Sequence, residues 1–258
     1  MAQRNSASKV TTETNQKAPN QNPFPYADYI NARNRLMTAL NGPCFYALLT
    51  GTSGMGKTEL LRDITDSLDQ HRHNIVYLAS ANISIISIVR FLATKLHVGV
   101  RRTHLETMDG IAEAIYAQTA HLVIWLDEAD KLPLETMQEI RTLAEHKLMA
   151  RQIVTVVLSG LPELCSKLEN PALFPLKRRI THRCTLTGLN RDELDPFLEH
   201  RFGSHDAQRI PTNGRDDLFE RTQATPAMID QIARCALAQS KGTIDSEVIR
   251  DGLDAYGL

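Results

Sequence analysis

Apolar positions along this chain keep two rhythms, and the balance between them shifts once. From Tyr29 to Leu40 the spacing is helical: Ile30 and Leu36 share a face with Arg33 between them, and Leu40 follows Leu36 by four. Asn41-Gly-Pro43 ends that helix. Short apolar runs then alternate with helical stretches. Phe45–Leu49, Ile75–Ala79, Leu122–Leu126 and Ile153–Leu158 predict buried strands, and Thr181–Leu186 a weaker fifth. Lys57–Leu68, Ile85–Leu96, Leu105–Ala117 and Leu134–Met149 predict helices between them. Strands that are apolar throughout and alternate with helices imply a parallel sheet covered by helices on both faces. After Gly188 the strand signal stops, and 190–202, 214–223, 226–239 and 244–256 all predict helix. The expected organisation is a flexible tail over 1–22, an α/β domain over 23–187 and a small all-helical domain over 188–258.

Composition narrows this without changing it. With 258 residues, 42% hydrophobic and 23% charged, the chain is globular rather than disordered or collagen-like. The longest apolar runs are far shorter than the roughly 20 residues of a membrane span, and Met1–Ser6 lacks the apolar core of a signal peptide, so a cytoplasmic protein without a membrane segment is expected. Residues 1–22 are rich in Asn, Gln, Ser, Thr and Lys and read as a solubilising tail. Cys44, Cys165, Cys184 and Cys235 form no C-x-x-C pair and are read as reduced, buried thiols. His71 and His73 flank Arg72 in a polar stretch and are read as a solvated loop. A net charge of −1 means that any binding to DNA must come from a local basic patch, or from its repetition in an oligomer.

The chemistry is concentrated in four places. Gly51-Thr52-Ser53-Gly54-Met55-Gly56-Lys57-Thr58 fits G-x-x-x-x-G-K-[ST] between a strand and a helix. Its glycines let the backbone N–H groups curl towards phosphate oxygens, and the following helix, from Lys57 past Glu59, adds its positive end. Lys57 would meet the β- and γ-phosphates of ATP, and Thr58 would offer a hydroxyl to Mg²⁺. Leu122–Leu126 runs into Asp127-Glu128, two carboxylates at the strand end where ligands of open α/β sheets bind. Asp127 would hold Mg²⁺ and Glu128 would polarise an attacking water. Asp130 reads as a helix-entry residue. Ser159, ending the strand that begins at Ile153, would aim at the γ-phosphate or the water. Lys177–Arg183 holds four cationic side chains, among which Arg178 or Arg179 would reach a neighbouring subunit's γ-phosphate.

The order of these motifs, followed by a helical domain, resembles the AAA+ ATPases over roughly residues 24–258. The phrase Ser159-Gly-Leu-Pro-Glu-Leu164 ahead of the arginines is similar to one branch, which holds the transposon target-selection ATPases of MuB, TnsC, TniB and IstB type and the ExeA-type secretion ATPases. The resemblance implies a doubly covered P-loop fold with a helical lid, ATP at subunit interfaces, and an ATP-dependent ring or helical filament. For the transposon members it also implies sequence-independent assembly on duplex DNA and recruitment of a transposase or an accessory protein. ExeA-type proteins usually carry a membrane span and a peptidoglycan-binding part, which turns the expectation to the transposon side. A helicase-loader or replication-initiator type remains an alternative, as does an ExeA-like secretion or signalling assembly ATPase without DNA. Many AAA+ proteins place an arginine in the lid at a Gly-x-Pro-Arg-like phrase. Here the stretch is Ala224-Thr-Pro-Ala227, and Arg234, seven residues on, is read as a poor substitute, so slow intrinsic turnover is expected. For DNA, Arg101-Arg102-Thr103 breaks the apolar pattern between two helices, with Arg90 and Lys95 on the helix before.

Overall fold

Strand and helix follow one another as the apolar rhythm requires. The computed structural model describes residues 22–79, 82–118, 120–145, 154–239 and 242–258. Helix α1 (Ala27–Asn41) leads into β1 (Tyr46–Gly51), α2 (Lys57–Ser67), β2 (His73–Ala79), α3 (Ile85–Lys95), α4 (His104–Gln118) and β3 (His121–Asp127). A 3-10 turn at Ala129–Lys131 precedes α5 (Leu134–Glu145) and β4 (Val154–Gly160). Two short helices, α6 (Glu163–Lys167) and α7 (Phe174–Lys177), lead to β5 (Ile180–Leu186). Helices α8 (Leu194–Gln208), α9 (Thr212–Arg221), α10 (Pro226–Gln239) and α11 (Ser246–Ala255) complete the chain.

All strand pairs are parallel, in the order β2-β3-β4-β1-β5. Alternation along each strand sorts its side chains to two cores. Ala47, Leu49, Val123, Trp125 and Val157 face α1, α2 and the C-terminal helices. Tyr46, Leu48, Ile124, Leu126, Val156 and Leu158 face α3, α4 and α5. Strands β1 and β4 are buried at every position, which is why they read as continuous apolar runs. Among the described residues no helix is long and apolar enough to cross a membrane.

The departures are local. Helices α6 and α7 have five and four residues, too few for a helical rhythm to register. The expected tail over 1–22 lies outside the described residues except for Asn22, as do the end of the helix expected to reach Met149 and the strand start at Ile153. Strand β2 begins at His73, whose ring lies 5.8 Å from that of its neighbour His121, so His73 is not a loop residue. Cys44 and Cys184 are buried thiols, but Cys165 and Cys235 are exposed.

His121 makes the sheet sensitive to acid. Its Nε2 lies 2.8 Å from Thr155 Oγ1, whose hydroxyl is donated to Cys44 O at 2.6 Å. Burial, and then the charge of His73, push the His121 imidazole down to about 4. The folded chain therefore keeps His121 neutral where the unfolded chain takes up a proton. This contribution to stability is complete above about pH 6.5 and is lost as pH falls towards 4. Denaturant titrations at pH 7, 5.5 and 4.5 should show stability falling with pH in the native sequence and a flatter slope in His121→Gln. An unchanged slope would assign the acid sensitivity to other groups.

Candidate functional site

The turn after β1 depends on two glycines with positive φ, Gly54 at 82° and Gly56 at 89°, a region where side-chain-bearing residues are strained. Gly54 is confined as well: an added Cβ would lie 2.9 Å from Thr225 Cγ2 and 3.0 Å from Ala227 Cβ. The turn delivers Lys57 to the first position of α2, so the loop N–H groups and the positive helix end face one cavity of about 870 Å³. Ser53, Gly54, Met55, Gly56, Lys57, Thr58 and Glu59 line it. Gly51 and Thr52 do not, but their carbonyls accept bonds from Lys57 Nζ at 2.6 and 3.0 Å. Burial pushes the Lys57 ammonium below its ordinary value, opposed by Asp127 and Asp130. Burial also raises the Glu59 carboxyl, with Arg201 and Arg62 opposing.

The acidic side of the cavity starts at the end of β3. Asp127 is 9% exposed and accepts three hydrogen bonds: Tyr77 Oη to Oδ2 at 2.9 Å, and Ser159 Oγ at 2.9 Å and the Glu128 N–H at 3.0 Å to Oδ1. These donors stabilise the carboxylate that burial would otherwise disfavour. Ser159 is fully buried and donates its hydroxyl to Asp127, bracing that acid. Tyr77 was not legible as a site residue. Burial, and then its bond to Asp127, push its hydroxyl up to about 12.

Glu128 stands in the left-handed region at φ 53°, a strained conformation that turns the chain away from the strand and leaves its carboxylate on the cavity wall. There it pairs with Lys131 Nζ at 2.9 Å. Asp130 belongs to the 3-10 turn, and its Oδ1 accepts the Leu161 N–H at 2.9 Å. Gly160 makes room for this contact, because a Cβ there would come within 2.4 Å of Asp130 Oδ1. Lys167 closes the turn by donating to the carbonyls of Asp130 and Leu132.

Helices α8 and α10 build the opposite wall. The Ala227 N–H donates to Gly54 O at 3.2 Å, which sets the start of α10 against the loop. Ala227, Asp230, Gln231 and Arg234 line the cavity from α10, and Phe197 and Arg201 from α8. Arg234 is therefore part of the cavity, contrary to what its distance in sequence from Ala227 suggests. Phe24 and Tyr26 close the far end. Phe24 packs edge-on against Phe197 at 5.5 Å, and Tyr26 Oη donates to Met55 O at 2.7 Å.

Two expected groups lie elsewhere. Arg178 and Arg179 precede β5, beside the start of β1, about 17 Å along the strand from this chain's own loop. Arg178 is exposed, and Arg179 donates to Pro175 O at 2.8 Å. Arg90, Arg101, Arg102 and Thr103 line a second cavity of about 300 Å³ between α3 and α4, together with Ile86, Val89 and Val100. Thr103 caps α4, exchanging bonds with Glu106. Arg101 lies 3.9 Å from Glu113, and Lys95 sits over the Phe91 ring, outside this groove.

Residues 44–168 match the family model described as AAA domain. The General secretion pathway protein A of Aeromonas hydrophila is 27% identical over 161 residues, which is 60% of this chain and 29% of that protein. The chain thus spans less than a third of the length of this curated relative, which lies on the secretion side of the branch rather than on the transposon side. Among solved structures, the Aeropyrum pernix ORC2 protein in its ADPNP-ADP complexes has a similar fold. Its TM-score is 0.66 at 13% identity, covering 94% of this chain and 70% of that one. The Aeropyrum pernix ORC1 protein in complex with DNA has a TM-score of 0.58 at 16% identity, covering 92% of this chain and 66% of that one. At such identities the likeness is one of fold, and coverage above nine tenths extends it into the helices after Gly188. Sheet order, phosphate-loop geometry and family match agree: the chain has a P-loop AAA+ fold, within which residues 44–168 match the AAA domain model.

Proposed function

We propose that the protein is an ATP-driven switch that assembles on duplex DNA, with ATP bound in the cavity between the phosphate loop and α10. The observation that carries this reading is the convergence of Lys57, Thr58, Asp127 and Glu128 on one cavity under a curled glycine loop. The loop N–H groups and Lys57 bind the phosphate chain, whose oxygens replace the Gly51 and Thr52 carbonyls as acceptors for Nζ. Glu128 accepts a proton from the attacking water as the γ-phosphate leaves ADP. The site's donor set, a threonine hydroxyl and a braced carboxylate at the same wall, suits a hard cation. Thr58 and Asp127 would hold Mg²⁺, which when bound offsets charge on the β- and γ-phosphates. Arg178 or Arg179 cannot serve the loop of its own chain from the other end of β1, so either acts on a neighbouring copy in a ring or helical filament.

Duplex DNA is contacted without regard to sequence by Arg90, Lys95, Arg101 and Arg102, repeated along the assembly, with Thr103 holding the loop in shape. The finer role is regulation of transposition, in which the ATP-bound assembly marks target DNA and recruits a transposase. Support for DNA comes from the similar fold of the ORC1 protein in complex with DNA. A second reading, an assembly ATPase of a secretion apparatus without DNA, is favoured by the likeness to General secretion pathway protein A. ATP-dependent filaments templated by duplex DNA would support the first reading, and assembly indifferent to DNA the second.

Lys57→Ala should lose ATP retention, whereas Glu128→Gln should retain ATP and trap the assembled state, as read by nucleotide binding and electron microscopy with duplex DNA. Intrinsic turnover should lie below about 10 per second, a typical enzyme value, because Ala227 offers the γ-phosphate no side-chain charge. A salt titration of DNA binding tests the patch. Arg101→Ala with Arg102→Ala should weaken binding and reduce the salt slope by about 2, one for each DNA phosphate left without its arginine. Unchanged affinity and slope would show that DNA binds elsewhere.

A further inference from the structure

The groove between α3 and α4 shares no lining residue with the nucleotide cavity. Its floor is apolar and its rim is cationic. On α3, Ile86 and Val89 are three residues apart, and Arg90 completes the same face. Val100 enters from the connection to α4. Val89 belongs to the core beneath α3, but Ile86 is 44% exposed and Val100 52%. Arg90, Arg101 and Arg102 stand around this floor, and among the described residues no acid lines it.

The connection that shapes the groove is held by its own backbone. The Val98 N–H donates to Ala93 O at 2.8 Å, fastening the chain to the last turn of α3. The Arg101 N–H donates to Thr107 Oγ1 at 3.0 Å, and that buried hydroxyl donates to Thr103 O at 2.9 Å. Arg101 meets Glu113 only at 3.9 Å on the exposed surface, a pairing too weak to withhold its charge from a ligand. A groove already in shape costs a ligand little ordering.

Floor and rim together select the occupant. The phosphate backbone of a duplex satisfies the arginines and leaves Ile86 and Val100 uncovered. A helix with apolar residues at i, i+3 and i+7 and carboxylates beside them covers the floor and pairs with the rim. A volume of about 300 Å³ suits a few anchoring side chains.

We propose that this groove docks an acidic amphipathic helix of a partner protein, its apolar face on Ile86, Val89 and Val100 and its carboxylates on Arg90, Arg101 and Arg102. The proposal is independent of the nucleotide reading. It meets the DNA reading at the arginines: a copy that holds such a helix cannot offer the same side chains to phosphates, so helix and duplex compete.

The test is fluorescence anisotropy with the full chain and three labelled helical peptides of equal length. One, of Ala, Leu and Glu, has its leucines at i, i+3 and i+7; the second scatters the same leucines around the helix; the third keeps the pattern with Lys in place of Glu. The patterned acidic peptide should bind at least about tenfold tighter than the other two, and duplex DNA should displace it. Ile86→Ser with Val100→Ser should weaken that peptide about tenfold and change duplex binding less than about twofold. Arg101→Ala with Arg102→Ala should weaken the peptide and flatten its salt dependence. Thermal melting reports folding; if the serine pair melts early, Val100→Ser alone decides, through a fall in the ratio of patterned to scattered peptide affinity. No binding of the patterned peptide, or equal binding of the scattered one, would overturn the proposal. A serine pair that weakens duplex DNA and not the peptide would overturn it too, assigning the floor to nucleic acid. Failure to bind ATP would sink the nucleotide reading and leave these peptide measurements as they stand.

Discussion

Everything at the cavity depends on where five parallel strands end. Parallel strands need crossovers, so the chain leaves every strand at the same edge, and the groups that follow β1, β3 and β4 must meet there. The order β2-β3-β4-β1-β5 seats β4 between the strand that carries Asp127 and the strand that feeds the glycine loop. Ser159 and Asp127 follow the paired residues Leu158 and Leu126, which places hydroxyl beside carboxylate. A slip of one residue in that register would turn Asp127 into the other core, because neighbouring side chains in a strand face opposite sides.

Concentrating polar groups at this edge is costly, and the structure offsets the cost locally. Asp127 is nearly buried, yet each of its oxygens accepts at least one hydrogen bond. Lys57 is disfavoured by burial but lies among loop carbonyls and within the field of Asp127 and Asp130. Glu128 accepts a left-handed backbone, a strain of order 1–3 kcal/mol of the kind that persists only where surrounding contacts hold it. Here the contacts are its N–H to Asp127 and its carboxylate to Lys131. That strain sets Glu128 apart from Asp127, so two adjacent acids face different surroundings and are suited to different tasks.

How much of this was legible in the sequence follows from how local each feature is. The glycine loop is written in eight consecutive residues, and the two acids adjoin an apolar strand, so both could be found by spacing alone. The direction of Ser159 could have been found too. It lies two residues after Val157, and Asp127 two after Trp125, and those two residues share a core. Tyr77 needed the register of β2 on β3, which no pattern in one strand reveals. Arg201 and Asp230 are 29 residues apart on different helices, and their meeting depends on how α8 and α10 pack. Axial distance from Ala227 alone hides Arg234; the backward lean of helical side chains is what returns it to the cavity.

The junction at Gly188 explains why the C-terminal helices matter to the cavity at all. Gly188 has φ 110°, and an added Cβ would lie 2.6 Å from Ala224 O, so the chain there passes directly against the segment that opens α10. The next residue ties them, with the Leu189 N–H donated to Ala224 O at 3.0 Å. Three residues beyond Ala224, Ala227 touches the phosphate loop at Gly54. A single short path therefore links the end of β5, the first turn of α10 and the loop. Two close backbone contacts, Gly188 on Ala224 and Gly54 on Ala227, thus tie the C-terminal helices to the loop. A side chain at either glycine would open a gap that the rest of the interface would have to absorb.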